Sequence, residues 1–360
     1  MLFDRHALLN AIESVTPGLS NRGMIAQSSC VIFMGKYLVT FNDLISCRFT
    51  LDEDTGITAA VPVEPIRAIL HRLKEEQVDI SLDGGELRIK GKSGRESGIR
   101  VDTEITLPID KVEKPSKGDW SKLPDSFPTI ASRVAACASK DSGMHMVTCV
   151  HMTKGFIEAT DNSQAIRYEL PLPVKASVFI RATALEHIKL ALPKSIACTS
   201  AWVHFRNGLG LTMSIRQEVP SAAKYPDLSK ALKLDGVDIT LPKGLIEACE
   251  RAEIFSAEDA ESNVVSVSIV PGKPLVIRGE GSTGWYRENK KIDYDGPELR
   301  FVINPKLLSG LVSESLPTKV GSTPKTNVML MKGEAFTYVV ALEKEKAPAT
   351  EAETETPDEE

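Results

Sequence analysis

The stretch Phe156 to Arg167, FIEATDNSQAIR, runs from an apolar pair through Ala-Thr-Asp into a polar turn. Similar stretches occur at residues 38–43, LVTFND, and 275–280, LVIRGE, so that an acidic residue recurs at Asp43, Asp161 and Glu280. The two spacings are 161 − 43 = 118 and 280 − 161 = 119 residues. Each stretch is followed by an apolar strand that turns into a short amphipathic helix: AAVPVEPIRAILHRL from Ala59, VFIRATALEHIKLAL from Val178 and RFVINPKLLSGLV from Arg300. Two features that repeat in one order at one period predict three copies of a single domain.

The repeat divides the 360 residues into domains of ordinary size. We predict domains at 1–112, 122–233 and 236–342, with the proline- and lysine-rich segment 108–124 at the first boundary. Apolar periodicity predicts helices over 2–15, 62–75, 129–139, 182–192, 242–255 and 305–312. Strand patterns lie between them. The expected fold is therefore α+β, with two short helices packed on antiparallel sheet in each copy.

The composition is ordinary, with 42% hydrophobic and 26% charged residues and no apolar run near the roughly 18 residues that a membrane span needs. Charged residues interrupt the first fifteen positions, so no signal peptide is expected. These features predict a cytoplasmic protein without a membrane partner. The six cysteines never come close enough for a Cys-x-x-Cys pair, which favours buried free thiols and no metal site.

The formal net charge of −6 is unevenly distributed. Residues 343–360 contain eight acids and two lysines, a net of −6, so the rest of the chain carries −6 − (−6) = 0. A neutral body cannot hold DNA by bulk charge and needs a local basic face or a topological grip. The segment 343–360 has no large apolar residue and is expected to be a disordered acidic tail.

Short motifs give little support to an enzyme. Residues 279–284, GEGSTG, match G-x-G-x-x-G, but the following residues 285–294 have no helical apolar face to present to a pyrophosphate. A plain turn is favoured over a nucleotide site. Gly85 stands five residues before Gly91-Lys92-Ser93, where a phosphate-binding loop requires four. His145 and His151 lack a metal-ligand spacing. We expect no cofactor and no catalytic residue, although a nucleotide-dependent enzyme stays as an alternative.

Basic residues recur on or beside all six expected helices. Any single helix has a solvated charged face, but a recurrence in a neutral protein favours a shared surface. Glu13, Glu64, Glu186 and Glu247 lie on the same helices, so this surface would hold phosphates loosely. The candidates are Arg5, His6, Arg67, His71, Arg72, Lys74, Arg133, Lys140, Lys189, Lys194, Lys243, Arg251 and Lys306.

The order of motifs resembles the bacterial DNA polymerase III beta subunit, the sliding clamp, over residues 1–342. The resemblance depends on the threefold repeat and on six segments in order: VPVEPIRAIL at 61–70, KSGRESGIRV at 92–101, ATD at 159–161, YPDL at 225–228, INPKLL at 303–308 and TYVVAL at 337–342.

The resemblance implies the DNA-clamp fold, in which one chain forms half of a head-to-tail homodimeric ring with helices lining the hole. Such a ring slides on double-stranded DNA and tethers a DNA polymerase after a clamp loader places it there. Arg22 and Lys140 match family positions that face DNA, and Ile254 and Phe255 match positions at the dimer interface. An alternative is a clamp-like protein that captures clamp-binding peptides without encircling DNA.

The family's partner pocket corresponds to Met146, Thr160, Asp161, Asn162, Ser163, Gln164, Ala165, Pro226, Lys230, Ala231, Val339, Val340, Ala341 and Leu342. The sequence departs from the family here, because residues 162–165 replace a Gly-His-Arg-Leu type run and the last strand continues into the acidic segment. Val339, Val340 and Leu342 keep an apolar lining. Gln164 replaces an arginine of the family and Ala165 replaces a leucine, which implies a wider and less positive groove. The acidic segment 343–360 that follows β-strand residues 337–342 would repel acidic peptides.

Overall fold

The computed structural model describes residues 1–20, 25–141, 143, 145–219, 224–233, 235–256, 264–308, 317–322 and 327–342. They form two compact units. Unit 1 contains Met1–Asn162 and Ile166–Pro226, and unit 2 contains Ser163–Ala165 and the described residues from Asp227 onward. One order of strands and helices occurs twice in unit 1 and once in unit 2.

The first copy contains β1 (Leu2–Asp4), α1 (Arg5–Ser14), β2 (Cys30–Met34), β3 (Tyr37–Phe41), β4 (Ile45–Thr50), β5 (Thr58–Pro62), α2 (Val63–Arg72), β6 (Gln77–Asp83), β7 (Glu86–Lys90) and β8 (Glu96–Arg100). Its strands pair in the orders β5-β2-β3-β4 and β1-β6-β7-β8. The first helix starts later than predicted because the Asp4 carboxylate accepts a hydrogen bond from the Ala7 N–H (2.7 Å) and caps it.

The second copy contains β9 (Ser121–Lys122), α3 (Phe127–Ala135), β10 (Cys149–Met152), β11 (Phe156–Thr160), β12 (Gln164–Glu169), β13 (Val178–Arg181), α4 (Ala182–Leu185), α5 (Ile188–Ala191), β14 (Ser195–Cys198), β15 (Trp202–Arg206) and β16 (Leu211–Arg216). The strand orders β13-β10-β11-β12 and β9-β14-β15-β16 repeat those of the first copy. The helix predicted over 182–192 is divided into α4 and α5, and Leu192 ends it in a left-handed conformation (φ 42°).

The third copy contains β17 (Val237–Ile239), α6 (Leu245–Ser256), β18 (Val265–Ile269), β19 (Leu275–Gly281), β20 (Gly284–Lys290), β21 (Leu299–Ile303), β22 (Thr318–Ser322), β23 (Asn327–Lys332) and β24 (Phe336–Leu342). Its strand orders are β21-β18-β19-β20 and β17-β22-β23-β24. A 3-10 turn at Pro305–Leu307 replaces the start of the helix predicted over 305–312, and residues 309–316 lie outside the described part. The predicted α+β fold is confirmed, and the exact domain boundaries stay a prediction.

One eight-stranded sheet joins the first two copies. Strand β4 pairs with β16, and the order is β5-β2-β3-β4-β16-β15-β14-β9. On one face of this sheet, Ile32, Phe41 and Trp202 form a buried cluster with Leu107. Ile109 packs on the same cluster, so the segment between the two copies crosses this face. That segment forms one wall of a cleft of about 470 Å³ over this face.

The feature that repeats between the first two copies is the turn that follows β3 and β11, and not an acidic residue at a fixed position. Asp43 (φ 74°) and Asn162 (φ 75°) occupy the same left-handed turn position, at a spacing of 162 − 43 = 119. Asp43 therefore corresponds to Asn162 and not, as the sequence suggested, to Asp161. Glu280 lies within β19 and pairs with Trp285 of β20. The strand-turn-strand unit recurs, whereas its acidic residue does not keep one position.

The glycine motif at 279–284 lies in the hairpin between β19 and β20. A Cβ atom added to Gly279 would come within 1.9 Å of the Ala252 carbonyl oxygen, and one on Gly281 within 2.0 Å of the Phe255 carbonyl oxygen. Both carbonyls belong to α6. The glycines therefore let α6 lie directly against β19, which is a packing role.

The six cysteines are free thiols, of which Cys198 is exposed and the other five are buried. Within the described ranges, no group of three His, Cys, Asp or Glu side chains is placed to hold a metal ion. No helix in that part of the chain is long and apolar enough to cross a membrane.

Candidate nucleic-acid and partner interfaces

The two helical segments of each copy pack beside each other: α1 on α2, α3 on α4 and α5, and α6 on the turn at 305–307. In α2, Val63, Ile66 and Leu70 face the core. Arg67, His71 and Arg72 lie on the other side of the helix, as the apolar spacing predicts. The structure thus presents basic side chains on or beside two sets of packed helices, in the first two copies, and on α6 with its neighbouring turn in the third.

Carboxylates neutralise part of this surface on the first pair. Glu13 of α1 has its Oε1 2.9 Å from Nε2 of His71 and 4.0 Å from Nη2 of Arg67. Arg67 also pairs with Glu64 at 3.3 Å. Two of the predicted DNA-binding residues are therefore compensated by α1 and α2 themselves.

Arg5 has a structural role. Its side chain is buried, with a residue exposure of 7%, and its Nη1 donates to the Leu70 carbonyl oxygen (2.7 Å). Its Nε donates to the Glu75 carbonyl oxygen (2.8 Å). Arg5 thus links α1 to the last turn of α2, and its burial gives no support to the predicted DNA contact. His6 is exposed beside it.

The predicted cations of the later copies include three that form ion pairs. Lys194 pairs with Asp125 (2.9 Å), Lys306 with Glu253 (3.4 Å) and Arg251 with Glu288 (2.7 Å). The Tyr286 hydroxyl and the Arg251 guanidinium hold the pKa of Glu288 at about 2. This carboxylate is therefore charged at neutral pH and compensates Arg251.

The remaining predicted cations carry free charge. Arg133 donates to the Tyr168 hydroxyl (2.8 Å), a neutral partner. Five others are exposed and form no ion pair within the part of the chain that the structure describes: Arg72, Lys74, Lys140, Lys189 and Lys243. Arg22 lies outside the described residues. Arg133 and these five side chains are the candidate nucleic-acid contacts, and each of the three copies contributes at least one of them.

Five of the residues predicted to form the partner pocket lie in unit 1. Met146 and Thr160 are buried, at 4% and 3% exposure. Asn162 is exposed, and its N–H donates to the Thr160 hydroxyl (3.1 Å). Asp161 and Pro226 are half-buried.

The segment Ser163–Ala165 of unit 2 lies against β24. The Ala341 N–H donates to the Ser163 carbonyl oxygen (2.7 Å). The Tyr338 hydroxyl lies 2.7 Å from Gln164 Oε1 and 2.6 Å from the Leu307 carbonyl oxygen. Gln164 is therefore held by Tyr338, a contact that the sequence analysis missed. The only signal for it was a tyrosine inside the apolar strand TYVVAL.

Successive side chains of β24 point to opposite faces of the sheet. The β24 residues predicted to line the partner pocket therefore lie on two faces. Val339 belongs to a cluster with Val328 and Leu330, on which Leu232 packs. Val340 and Leu342 are fully buried on the opposite face. Val339 and Val340 therefore cannot line one groove together, and core packing accounts for Val340 and Leu342. Ala165 is buried, Ala341 is half-buried, and Lys230 and Ala231 are exposed.

The candidate dimer residues lie at the end of α6. Ile254 is 67% exposed, and Phe255 is half-buried with its ring stacked on Tyr286 at 6.4 Å between centroids. Trp285 of β20, a strand at the end of its sheet, is 63% exposed, and alternation along the strand turns its side chain to the face opposite Tyr286. The sequence analysis missed Trp285, although a tryptophan in an alternating polar strand is a signal for an exposed apolar anchor.

No family model and no curated protein matches this chain. Solved structures do match it, among them the DNA polymerase III beta subunit of Thermotoga maritima, at 16% identity and a TM-score of 0.79 over 96% of this chain and 99% of that one. The DNA polymerase sliding clamp from Bacillus subtilis matches at 16% identity and a TM-score of 0.81 over the same shares. The DNA polymerase III subunit beta from Pseudomonas aeruginosa matches at 16% identity and a TM-score of 0.76, over 95% and 99%. Across nearly its whole length, this chain therefore has the fold of the bacterial DNA polymerase III beta subunits, the sliding clamps.

Proposed function

We propose that the protein is a DNA sliding clamp, a ring that encircles duplex DNA and tethers a replicative DNA polymerase. The observation that supports this most strongly is the likeness of the fold to sliding clamps over nearly the whole chain, together with exposed cations on or beside the helices of each copy. The protein acts as a processivity factor without catalytic residues or a cofactor. Its partners are double-stranded DNA, a DNA polymerase and a clamp loader.

The distribution of charge suits a ring that slides. Exposed lysine and arginine side chains hold phosphates weakly, and each contact is screened by salt. Glu13, Glu288 and Asp125 remove part of the positive charge of the helices. A ring that encircles DNA needs no tight contact with it. Even when every phosphate contact is broken, a closed ring cannot leave a closed circle of DNA.

We infer a head-to-tail homodimer from the sheet edges. Strand β8 ends its sheet in unit 1, and strand β20 ends its sheet in unit 2. An open edge is a template for pairing with another chain. In the proposed ring, β20 of one copy pairs with β8 of its partner, with Ile254 and Trp285 as apolar anchors. A heterologous contact of this kind closes into a ring if the rotation allows it.

The proposed polymerase-binding surface includes Ser163–Ala165 and the face of β24 that carries Val339 and Ala341. Val339, Val328 and Leu330 form a buried apolar cluster, and in this proposal a hydrophobic anchor would pack at the edge of that cluster. The amide of Gln164 is hydrogen-bonded to Tyr338 on the opposite face of β24, so Gln164 adds no cation to this surface. The surface therefore favours a peptide selected by shape and apolar contact rather than by carboxylate pairing.

Retention on circular DNA tests the proposed ring. Dilute protein is mixed with a nicked circle, concentrated to allow dimers to form, and separated by gel filtration in high salt. We expect the protein to stay with the circle and to be lost after a restriction enzyme linearises it. Equal retention on circular and linear DNA would contradict encirclement. Absence from both, together with binding of clamp-binding peptides, would favour the peptide-capturing alternative.

Reversal of the uncompensated helix cations is expected to weaken the hold on DNA. The triple variant Arg72→Glu, Lys74→Glu, Lys189→Glu should lower DNA retention about tenfold at moderate salt, because phosphate contacts are lost. Its melting temperature should stay unchanged, since exposed charges contribute little to stability. The matched control reverses Lys154, Lys175 and Lys273, which are exposed and lie away from the helices. An equal loss in both triples would show that only net charge matters.

A further inference from the structure

Strand β8 has three residues whose backbone groups lie on the open edge of its sheet. The Val101 N–H, just after β8, donates to the Gly85 carbonyl oxygen beside β7 (3.1 Å). Backbone groups alternate in direction along an antiparallel strand, so Ser97 and Ile99 also turn theirs to β7. Ile99 is buried, which places the alternate residues on the outer face of the sheet. The edge residues on that face are Glu96, Gly98 and Arg100.

Strand β20 has a matching open edge. Gly281 pairs with Gly284 across the two-residue turn between β19 and β20, and hydrogen bonds between these two residues close such a turn. Gly284 and the alternate residues Tyr286 and Glu288 therefore turn their backbone groups to β19. Both edges thus present three alternate residues. Those of β20, on the face opposite Tyr286, are Trp285, Arg287 and Asn289.

An acid without an ion pair lies on the outer face of β8. A Cβ atom added to Gly98 would come within 2.7 Å of Oε2 of Glu86, so the Glu86 carboxylate occupies the space beside Gly98. Arg100 is opposite Glu86 in the register, yet no ion pair joins the two. Among the residues that the structure describes, Glu86 has no cation and exposed Arg287 of β20 has no acid.

A buried hydroxyl without a partner lies on the inner face of β8, the face that Ile99 shares. The Ser97 Oγ is buried and has no hydrogen-bond partner in the described part of the chain, which costs stability. The inner face of β20 carries the carboxylate of Glu288. Its Oε2 accepts from Tyr286 and Arg251, whereas its Oε1 contacts only Lys290 among described residues (3.0 Å). Oε1 therefore has room for one more donor.

We propose that β20 of one copy pairs with β8 of a second copy in a single register, in which Arg287 lies opposite the partner's Gly98 and forms an ion pair with the partner's Glu86. The proposal rests on the head-to-tail dimer proposed above and names the contacts that align it. This register joins all three edge residues of one strand to all three of the other. The other opposite pairs, with the β20 residue first and the partner's β8 residue second, are Trp285 with Arg100, Tyr286 with Ile99, Glu288 with Ser97 and Asn289 with Glu96.

The contacts on both faces of this junction are complementary. On the outer face, Trp285 offers the face of its ring to the guanidinium of the partner's Arg100. On the inner face, the hydroxyl of the partner's Ser97 gains Oε1 of Glu288 as its acceptor. The register thus satisfies a buried hydroxyl together with the charges of Arg287 and the partner's Glu86.

One pair in this register brings two cations together, because Lys290 comes opposite the partner's Arg95. Lys290 lies 3.0 Å from Glu288 of its own copy. Arg95 lies 2.8 Å from Glu75 of its own copy. Each charge is therefore compensated before the two copies meet.

Shifted registers fit less well. A shift by one residue would bring inner side chains onto the outer face. A shift by two in one direction places Arg287 opposite the partner's Arg100, where two cations repel each other. A shift by two in the other direction places the Trp285 ring at Gly98, where the Glu86 carboxylate already lies. Either shift by two also leaves one edge residue of each strand unpaired.

An exchange of charges tests the proposed ion pair. Arg287→Glu and Glu86→Arg should each raise the dissociation constant of the dimer about tenfold in sedimentation at low salt, because each variant brings like charges together. The variant that carries both changes restores an opposite pair and should dimerise as the unsubstituted protein does. The control Arg278→Glu changes an arginine on the same face of β19, one strand away from the edge, and should leave the constant unchanged. A double variant that dimerises no better than either single variant would overturn the ion pair.

Paired cysteines test the register itself. Directly opposite residues have Cα atoms about 5.5 Å apart, which a disulfide spans, whereas diagonal neighbours lie about 7–8 Å apart. The exposed Cys198 is first changed to serine. Oxidation should then link the Glu96→Cys, Asn289→Cys protein into covalent dimers. The Glu96→Cys, Arg287→Cys protein should stay unlinked at concentrations where sedimentation shows that it dimerises.

The outcomes separate the register from the ring. Covalent dimers of the Arg287→Cys protein and not of the Asn289→Cys protein would overturn the register and leave the dimer intact. Dimers that oxidation links in neither protein would place the junction on other strands. Monomeric unsubstituted protein at micromolar concentration would overturn the proposed ring, and the register with it.

Discussion

Replacing Ile254 with lysine is expected to convert the protein from dimers to monomers at micromolar concentration. Ile254 is 67% exposed at the end of α6, which packs on β20, the last strand of its sheet. A small interface depends on a few apolar anchors, and truncating one typically costs 2 kcal/mol or more. A buried unpaired ammonium costs more than truncation does. We therefore expect the dissociation constant of the dimer to rise by a factor of about 100 or more.

Light scattering and sedimentation measure this change directly. The matched control is Leu209→Lys, because Leu209 is 79% exposed in a turn of unit 1 far in sequence from the proposed interface. Both substitutions leave the core untouched, so their melting temperatures should agree. If the unsubstituted protein is monomeric at micromolar concentration, the head-to-tail ring is wrong. A dimer that survives Ile254→Lys but not Leu209→Lys would move the interface to another surface.

Unit 1 is expected to lose about 3 kcal/mol of stability between pH 6.5 and pH 4 because of His204. This side chain is 1% exposed on β15, within hydrogen-bond distance of Ser214 (2.8 Å) and Thr199 (3.1 Å). Burial lowers its pKa from 6.5 to about 4, although the charge of Glu113 acts in the opposite direction. The unfolded chain binds a proton in this range and the folded chain does not. Stability is therefore full above pH 6.5 and falls as the pH drops toward 4.

The slope of the unfolding free energy against pH tests this prediction. Trp120 and Trp202 lie in unit 1, so a Trp285→Phe background makes tryptophan fluorescence specific for that unit. His204→Gln should flatten the slope between pH 6.5 and 4, because glutamine does not titrate. An unchanged slope in His204→Gln would show that His204 is protonated in the folded protein.

Much of the fold could be predicted because hydrophobic periodicity is local. The alternation in FIEAT and the helical spacing of Ile66 and Leu70 depend only on neighbouring residues. The repeat of these patterns therefore predicted three copies of one α+β unit. The apolar periodicity predicted the wrong helix bounds where the backbone conformation interrupts the helix. Residues 182–192 have a continuous apolar stripe, yet the helix is divided in two and Leu192 adopts a left-handed conformation.

The candidate sites depended on contacts between residues distant in sequence. His71 and Glu13 are 58 residues apart, and their ion pair decides that His71 is compensated while neighbouring Arg72 is not. Arg5 was predicted to face DNA, but carbonyls 65 and 70 residues away bury its guanidinium. A pattern of charges along a helix shows which face is basic. It does not show which charges are already neutralised.

Local pattern and composition were enough to predict the repeat, the class of fold and a neutral body followed by an acidic segment. Which side chains share a surface depends instead on how distant strands pair. Arg48 and Arg206 come from different copies of the domain, and only the pairing of β4 with β16 places them on one row. Val339 and Val340 are adjacent in sequence, and the pleat of β24 separates them. Both arrangements follow from the geometry of the sheet. Strand pairing places residues that are distant in sequence on one face, and the pleat places adjacent residues on opposite faces.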